Sequence, residues 1–488
     1  MSPLDHAVVA AYLAGMLAIG ALVSRRIGSF DDFFVAGGRM TTPLLVCTLV
    51  STYYGLDVTF GSSETAYLEG MAAFFAYSAP FYLAYLATAL WVTPRLKRLP
   101  ARSLPEAMGH FYGPPARLAA ALASFVYSAP ILSVVGMGLI GQVFLGGWPV
   151  WVAAVIGAVI ALVYTVLGGL LADALTDTVQ FVAMCVSAAV AAAIAMTTVG
   201  APAAIGARLG DEVLAPLGTL SPWEILVFGL VALTPLVEPV FYQRTFAAVS
   251  ARQMVRALLI GVVLWAAYDW LVVYLGLVGA DLVAAGTLPA SIDESAIILE
   301  VAAHLLPAGL LGLFVAGCLA SAMSTIDSYT LVAAGNLVYD GWQVVRRRSL
   351  PDRTLLRATR VCAGVTLAAA LVLGLSFERL RDAWIFMSTV LLSTTLVPML
   401  AALGSPRRPP ARAGQWGAVA GLAAALALFA VFQLFGHDVA GEGTTALVLG
   451  FDRAIRVERE AALLVTLPIS ALAFAAGWRS GREREATP

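Results

Sequence analysis

The chain has 488 residues, 60% of them hydrophobic and only 12% charged, with a formal net charge of −1. Soluble globular proteins carry about 25% charged side chains, so a chain of this length with so few cannot clothe a soluble fold, and lipid must be its solvent. The near-zero net charge excludes the basic footprint of a nucleic-acid binder, and Cys47, Cys185, Cys318 and Cys362 lie in apolar runs at spacings that match no zinc or redox motif.

A membrane-crossing helix needs about 20 apolar residues. Taken in chain order, apolar runs fall near 4–24, 43–68, 70–95, 116–146, 148–171, 174–199, 222–246, 253–279, 300–338, 357–377, 383–404, 413–436 and 461–480. They predict an all-α, polytopic membrane protein of about thirteen transmembrane helices. The first run is too long for a signal-peptide core and no small-residue cleavage site follows it, so it is read as a retained span. The ninth exceeds one crossing, and its excess is expected to tilt or to project beyond the hydrocarbon. The polar stretches 200–221, 280–299 and 437–460 are loop-sized, so 1–488 reads as a single transmembrane unit. With the N-terminus outside, 23 of the 29 Lys and Arg residues fall in cytoplasmic loops and ends. This is a strong positive-inside bias, and it predicts a cytoplasmic C-terminus and a place in the plasma membrane, or the inner membrane of a double-membraned bacterium.

Ionisable groups inside a span are costly and mark function. The candidates are Asp57, Glu64, Asp177, Glu238, Asp269 and Asp327, all acidic. Arg117, Arg244 and Arg360 lie near helix ends, where they are expected to snorkel, so the interior reads as anionic and suited to cations. In the ninth run Ser321, Ser324, Thr325 and Ser328 recur at i, i+3, i+4 and i+7, which sets four hydroxyls on one helical face. In the sixth, Asp173, Thr176, Asp177 and Gln180 repeat the spacing. Two readings stand open: hydroxyls bonding to their own helix or gluing neighbours, or a site for a small hard cation, which needs about five or six oxygens.

Two runs look broken. The second, STYYGLDVTFGSSETAY over 51–67, is loosened by Gly55 and Gly61 around a polar centre, and the seventh holds Thr234, Pro235, Glu238 and Pro239. Prolines remove backbone bonds and kink helices. Carbonyls freed at membrane depth line cavities or bind ligands; plain packing kinks are the alternative. The two broken runs stand five helices apart, as the matching first members of an inverted repeat of five would.

Six segments in order carry a family resemblance: SFDDFFVAGGRM (29–40), GSSETAYLEG (61–70), SLPEAMGHFYG (103–113), GGLLADALTDTVQ (168–180), EPVFYQR (238–244) and ASAMSTIDS (320–328). Together they resemble the sodium:solute symporter family over about residues 5–404. The resemblance implies a LeuT-like core of two inverted five-helix repeats over 43–404, an extra N-terminal helix over 4–24 and two C-terminal helices over 413–480. It implies a secondary active symporter, working as a monomer in the lipid bilayer, that imports a small organic solute by alternating access with Na+ as the coupling ion. By the match, the main sodium site comprises the carbonyls of Thr52, Gly55 and Ser321 and the hydroxyls of Ser324 and Thr325. The hydroxyl stripe falls on the same positions independently. Asp177 aligns with the aspartate of a second sodium site found in some members. Solute is implied beside the unwound helix around Tyr54 and Thr59, with Tyr53, Tyr127 and Glu238 as further candidate contacts.

The chain departs from the family at Asp57, where a small neutral residue is usual, and near Tyr127, where there is no arginine of the kind that clamps a carboxylate. A buried carboxylate at Asp57 needs a positive partner or a proton. Sodium, a proton or a cationic group on the solute would each serve. An amine-bearing solute, with a Tyr53 or Tyr54 ring face beside it, is the favoured reading; a neutral solute or a carboxylate countered by sodium is left open. A proton-coupled carrier and a transporter-like sensor with a separate signalling partner are the alternatives in function. An enzyme is disfavoured, because the sequence offers no nucleophile–base pair or metal-ligand cluster.

Overall fold

In lipid every backbone polar group must be satisfied within its own segment, and the apolar runs accordingly become helices. The structure, a computed structural model, describes residues 1–23, 29–144, 149–374, 380–438, 445–449, 455–458 and 461–485. Within these, the side chains of 20–23, 57, 150, 161–168, 380–382, 437–438, 445–449, 455–458 and 482–485 lie outside the described set.

The helices in chain order are α1 (Pro3–Val23), α2 (Phe30–Val35), α3 (Thr42–Tyr53), α4 (Leu56–Glu69), α5 (Ala73–Leu96), α6 (Leu104–Tyr112), α7 (Pro114–Tyr127), α8 (Ile131–Phe144) and α9 (Val150–Thr198). There follow α10 (Pro202–Leu209), α11 (Pro222–Val231), α12 (Pro239–Ala247), α13 (Ala251–Ala284), α14 (Ile297–Leu305) and α15 (Leu310–Arg346). The last are α16 (Asp352–Gly374), α17 (Leu380–Gly404), α18 (Ala411–Phe435) and α19 (Ala462–Glu485). Among the described residues ten helices are long and apolar enough to cross a membrane, eleven if the bent pair Thr42–Tyr53 and Val58–Glu69 forms one span. Beside these stand two shorter described apolar stretches, Pro3–Ile19 and Trp151–Ile160, in the first and fifth of the thirteen predicted runs, both of which continue into residues whose side chains lie outside the described set.

Three breaks refine the sequence reading. The fourth run is split at Ser128–Pro130 into α7 and α8. The ninth run is divided rather than a single overlong rod: Pro307 and Gly309, the latter at φ +87°, separate α14 from α15. The Asp5 carboxylate of α1 seals the start of α15, accepting from the Gly309 and Gly312 amides at 2.7 and 2.8 Å, a fitting place for an anion at a helix N-terminus. The fifth and sixth runs are two helical halves of α9 broken at Gly169, whose non-helical φ of +56° suits glycine; a Cβ there would also strike the Phe33 backbone. The polar stretch 437–460, read as a loop, carries a small antiparallel sheet of β1 (His437–Asp438), β2 (Thr445–Leu449) and β3 (Ile455–Glu458) in the order β1-β2-β3, with Ala446 opposite both His437 and Glu458.

At the centre, α3 is surrounded by α9, α13 and α15, and α4 lies along α13. At one end of the bundle, Arg102 before α6 reaches Asp31 of α2 at 2.6 Å and the Tyr339 hydroxyl at 2.7 Å, while Arg117 pairs with Asp340 at 2.7 Å. The hydrogen bond that Arg102 donates to Asp31 raises its guanidinium further above its already high pKa, so this tie stays charged. Lys97 donates to the Phe246 and Ala248 carbonyls at 2.8 and 2.6 Å, and its burial lowers its pKa. The C-terminal pair α18 and α19 pack together and on α17 through glycines that permit close approach. A Cβ on Gly421 would drive into the Ser393 backbone carbonyl of α17. Gly421→Val is therefore expected to lower stability by about 1–3 kcal/mol through overpacking, read as thermal unfolding in detergent, with sodium dependence unchanged.

Candidate functional site

The site begins where α3 stops. Tyr54 takes φ −97°, ψ 57° and Gly55 takes φ −64°, ψ 177°, so the helix unwinds for two residues and restarts as α4 with a bend of 51°. The last carbonyls of α3 are thereby released from the regular ladder, and α15 meets them with its hydroxyl face. Ser324 Oγ donates to the Ser51 carbonyl at 2.8 Å and to the Ser321 carbonyl at 3.0 Å. Thr325 Oγ1 donates to the Thr52 carbonyl at 3.0 Å and the Ser321 carbonyl at 3.1 Å, and Ser321 Oγ donates to the Tyr54 carbonyl. Thr52, Ser321, Ser324 and Thr325 are thus gathered on one seam. Gly55 is engaged differently, its carbonyl taking the Thr59 amide at 3.1 Å as the N-cap of α4. The Ser51 carbonyl, absent from the sequence-derived set, joins the seam as well; where a helix unwinds decides which carbonyls are free, and no residue type announces that.

Asp177 on α9 lies one helix away from the seam and is fully buried. Thr48 donates to its Oδ2, and Thr52 Oγ1 lies 3.4 Å from the same atom. Beside it runs a buried polar network. Arg244 of α12 donates to Asp173 at 3.0 Å, Gln243 at 2.6 Å and Thr48 at 3.2 Å, and to Ser328 Oγ. Ser328 in turn donates to Asp173 at 2.7 Å and sits 2.9 Å from Thr52 Oγ1. This corrects two expectations. Arg244 does not snorkel: it is fully buried and ion-paired. The interior is therefore not purely anionic, and Arg117 likewise serves a buried acid, Asp340. The sequence concealed this because a chain end and an inward-folded broken helix look alike in a hydropathy pattern.

A small cavity of about 50 Å³ opens beside the unwound segment. Tyr53, Tyr54 and Val58 line it from the α3–α4 break, Tyr127 from α7 and Asp269 from α13. Tyr77, Ser78, Phe81, Tyr82 and Tyr85 of α5, Tyr329 of α15 and Trp384 of α17 complete it. Tyr53 stacks on Phe241 at 4.6 Å and points its hydroxyl at Glu238 Oε2, 3.4 Å away. Of the predicted solute contacts, Tyr53, Tyr54 and Tyr127 therefore line the cavity. Glu238, the buried N-cap of α12, stands one tyrosine behind it. Thr59 turns to the Tyr268 hydroxyl at 3.4 Å and is not a lining residue. The Asp57 side chain lies outside the described residues. Asp269 is the lining carboxylate: it accepts from Tyr82 at 2.6 Å and Ser62 at 3.1 Å. A neighbouring void of about 20 Å³ shares Tyr127, Tyr329 and Trp384 with the cavity and reaches Thr325 of the hydroxyl seam.

A polytopic helical bundle with a central unwound helix, an oxygen-lined seam and a buried cavity beside it defines a membrane transporter, not an enzyme. Solved structures agree on the fold. A Na+-coupled sialic acid symporter in a substrate-bound outward-open state superposes with a TM-score of 0.77 at 17% identity, covering 98% of each chain. Mhp1, a nucleobase-cation-symport-1 family transporter in a closed conformation with bromovinylhydantoin bound, gives 0.54 at 13% identity, covering 92% of this chain and 95% of its own. An Eremococcus coleocola manganese transporter gives 0.53 at 13% identity, covering 94% and 96%. No curated protein sequence matches. The sequence model of the sodium:solute symporter family matches residues 33–404, and the chain belongs to that family. Its all-α, LeuT-like fold is thereby established.

Proposed function

We propose that the protein is a sodium-coupled symporter importing a small organic solute by alternating access, with the N-terminus outside and the C-terminus cytoplasmic. The observation that carries this reading is the meeting of the Ser51, Thr52 and Ser321 carbonyls with the Ser324 and Thr325 hydroxyls across the α3–α15 seam. One hydroxyl rotation apiece turns lone pairs inward, and the Gly55 carbonyl keeps a second lone pair free of its helix bond. The set then offers the five or six oxygens that a small hard cation takes. Sodium held there fastens the unwound helix to α15, and Thr325, which also lines the void adjoining the cavity, couples ion to solute. The membrane potential, about 2.3 kcal/mol per charge per 100 mV, drives the loaded carrier inward. Purified protein is expected to gain thermal stability in sodium over potassium at equal ionic strength. Equal stabilisation by the two ions overturns the reading.

Asp177 with Thr48 and Thr52 forms the second sodium position in this scheme. Its full burial supports that role over a solvated interfacial aspartate. Asp177→Asn keeps the shape and removes the charge, so the cooperativity of sodium-induced stabilisation should fall to that of a single ion. Cooperativity retained in the variant removes Asp177 from the scheme.

A further inference from the structure

We propose that the transported solute carries a small ammonium group and that Asp269 is its counter-ion, an inference resting on the symporter reading above. The cavity wall is the first ground. Nine of its twelve lining side chains are aromatic, and among the described residues none is basic. Ring faces attract a desolvated cation and offer nothing to an anion. The second ground is a pair of buried carboxyl groups without a basic partner among the described residues. Asp269 is buried, holds two hydroxyl donors and, among the described residues, pairs with no basic side chain. Glu238 is equally buried and hangs on the Tyr53 hydroxyl that borders the cavity. Arg244 is committed to Asp173 in the other network. Buried carboxylates without a basic partner are costly, and a cation seated between the rings removes that cost only while it is bound.

Size narrows the solute. An apolar cavity of about 150 Å³ accommodates benzene, whereas this one holds about 50 Å³, enough for an ammonium head and not for a sugar ring. The adjoining void toward Thr325 leaves room for a short tail pointing at the sodium seam. A carboxylate solute would face Asp269 and Glu238 without a positive partner.

The test uses the full-length protein in detergent with sodium present. Probes are methylammonium, trimethylammonium and choline, against 3,3-dimethylbutanol as the neutral isostere of choline and propionate as the anion, read by calorimetry and thermal shift. Ammonium probes should bind and the neutral and anionic ones should not. Asp269→Asn should weaken ammonium binding on the order of thirtyfold, as loss of one member of a buried charge pair does, while sodium-induced stabilisation stays as in the unsubstituted protein. Asp269→Glu, which keeps a carboxylate in the wall, should bind ammonium more tightly than Asp269→Asn. The proposal is overturned if 3,3-dimethylbutanol binds as well as choline, if no ammonium probe binds, or if Asp269→Asn binds ammonium as tightly as Asp269→Glu. Sodium stabilisation that survives any of these outcomes leaves the symporter reading standing; its absence in the unsubstituted protein would remove that reading instead.

Discussion

Arg244→Met should destabilise the protein by about 3–5 kcal/mol, the cost of stranding a buried charge when its partner is removed. Arg244 is fully buried, and its guanidinium binds Asp173, Gln243, Thr48 and Ser328 together. Taking it away leaves the Asp173 carboxylate with only the Ser328 hydroxyl as a side-chain donor among the described residues, in a low-dielectric interior. Asp173→Asn added to Arg244→Met should recover most of the loss, because a matched neutral pair has no charge to desolvate. Arg244→Lys should recover little, since a point charge cannot span the partners that a planar fork reaches. Chemical or thermal unfolding of the purified protein measures all three. A single-variant loss under about 1 kcal/mol, typical of exposed pairs, would mean that water reaches this network. The damage should not stay local: Thr48 also holds Asp177, and Ser328 touches Thr52, whose carbonyl stands on the sodium seam.

How much of this could be read beforehand depended on whether the signal was local. The hydroxyl stripe of Ser321, Ser324, Thr325 and Ser328 was legible because helical spacing alone puts those oxygens on one face, and the structure finds them there, facing the break in α3. The break itself was legible from Gly55 in a polar centre, and that of the seventh run from Pro235 and Pro239, which the structure resolves into a short turn before α12. What failed was partnership across the bundle. Arg244 looked like a helix-end residue because sequence distance from an apolar run says nothing about the direction in which a broken helix re-enters the core. Asp269 was singled out as a costly acid, but nothing local ties it to a cavity whose other walls come from six other helices. Thr59, given by resemblance, illustrates the converse: its position beside the break is right, yet half a turn on α4 decides whether a side chain meets the cavity or Tyr268.

Ser324→Ala and Thr325→Ala should each raise the sodium concentration for half-maximal stabilisation about tenfold or more, since a hydrogen-bond-type contact to a charged group is worth about 1.5–3 kcal/mol. Each removes one hydroxyl from a set of five oxygens, and the carbonyls of Ser51, Thr52 and Ser321 that remain cannot close a shell around the ion. The double variant should show no sodium response at all. The rival account is that these hydroxyls act as glue, because without the ion they donate to the same carbonyls. Glue predicts a different pattern: both variants would lose stability in potassium and sodium alike, with the sodium midpoint unmoved. Thr325→Ser sharpens the choice by keeping the oxygen and discarding the methyl group. Under the ligand reading it restores the midpoint, and Thr325→Val, which keeps the shape and discards the oxygen, behaves as Thr325→Ala. A sodium midpoint that follows the methyl group rather than the hydroxyl, or that stays fixed across the series, would take the ion away from this seam.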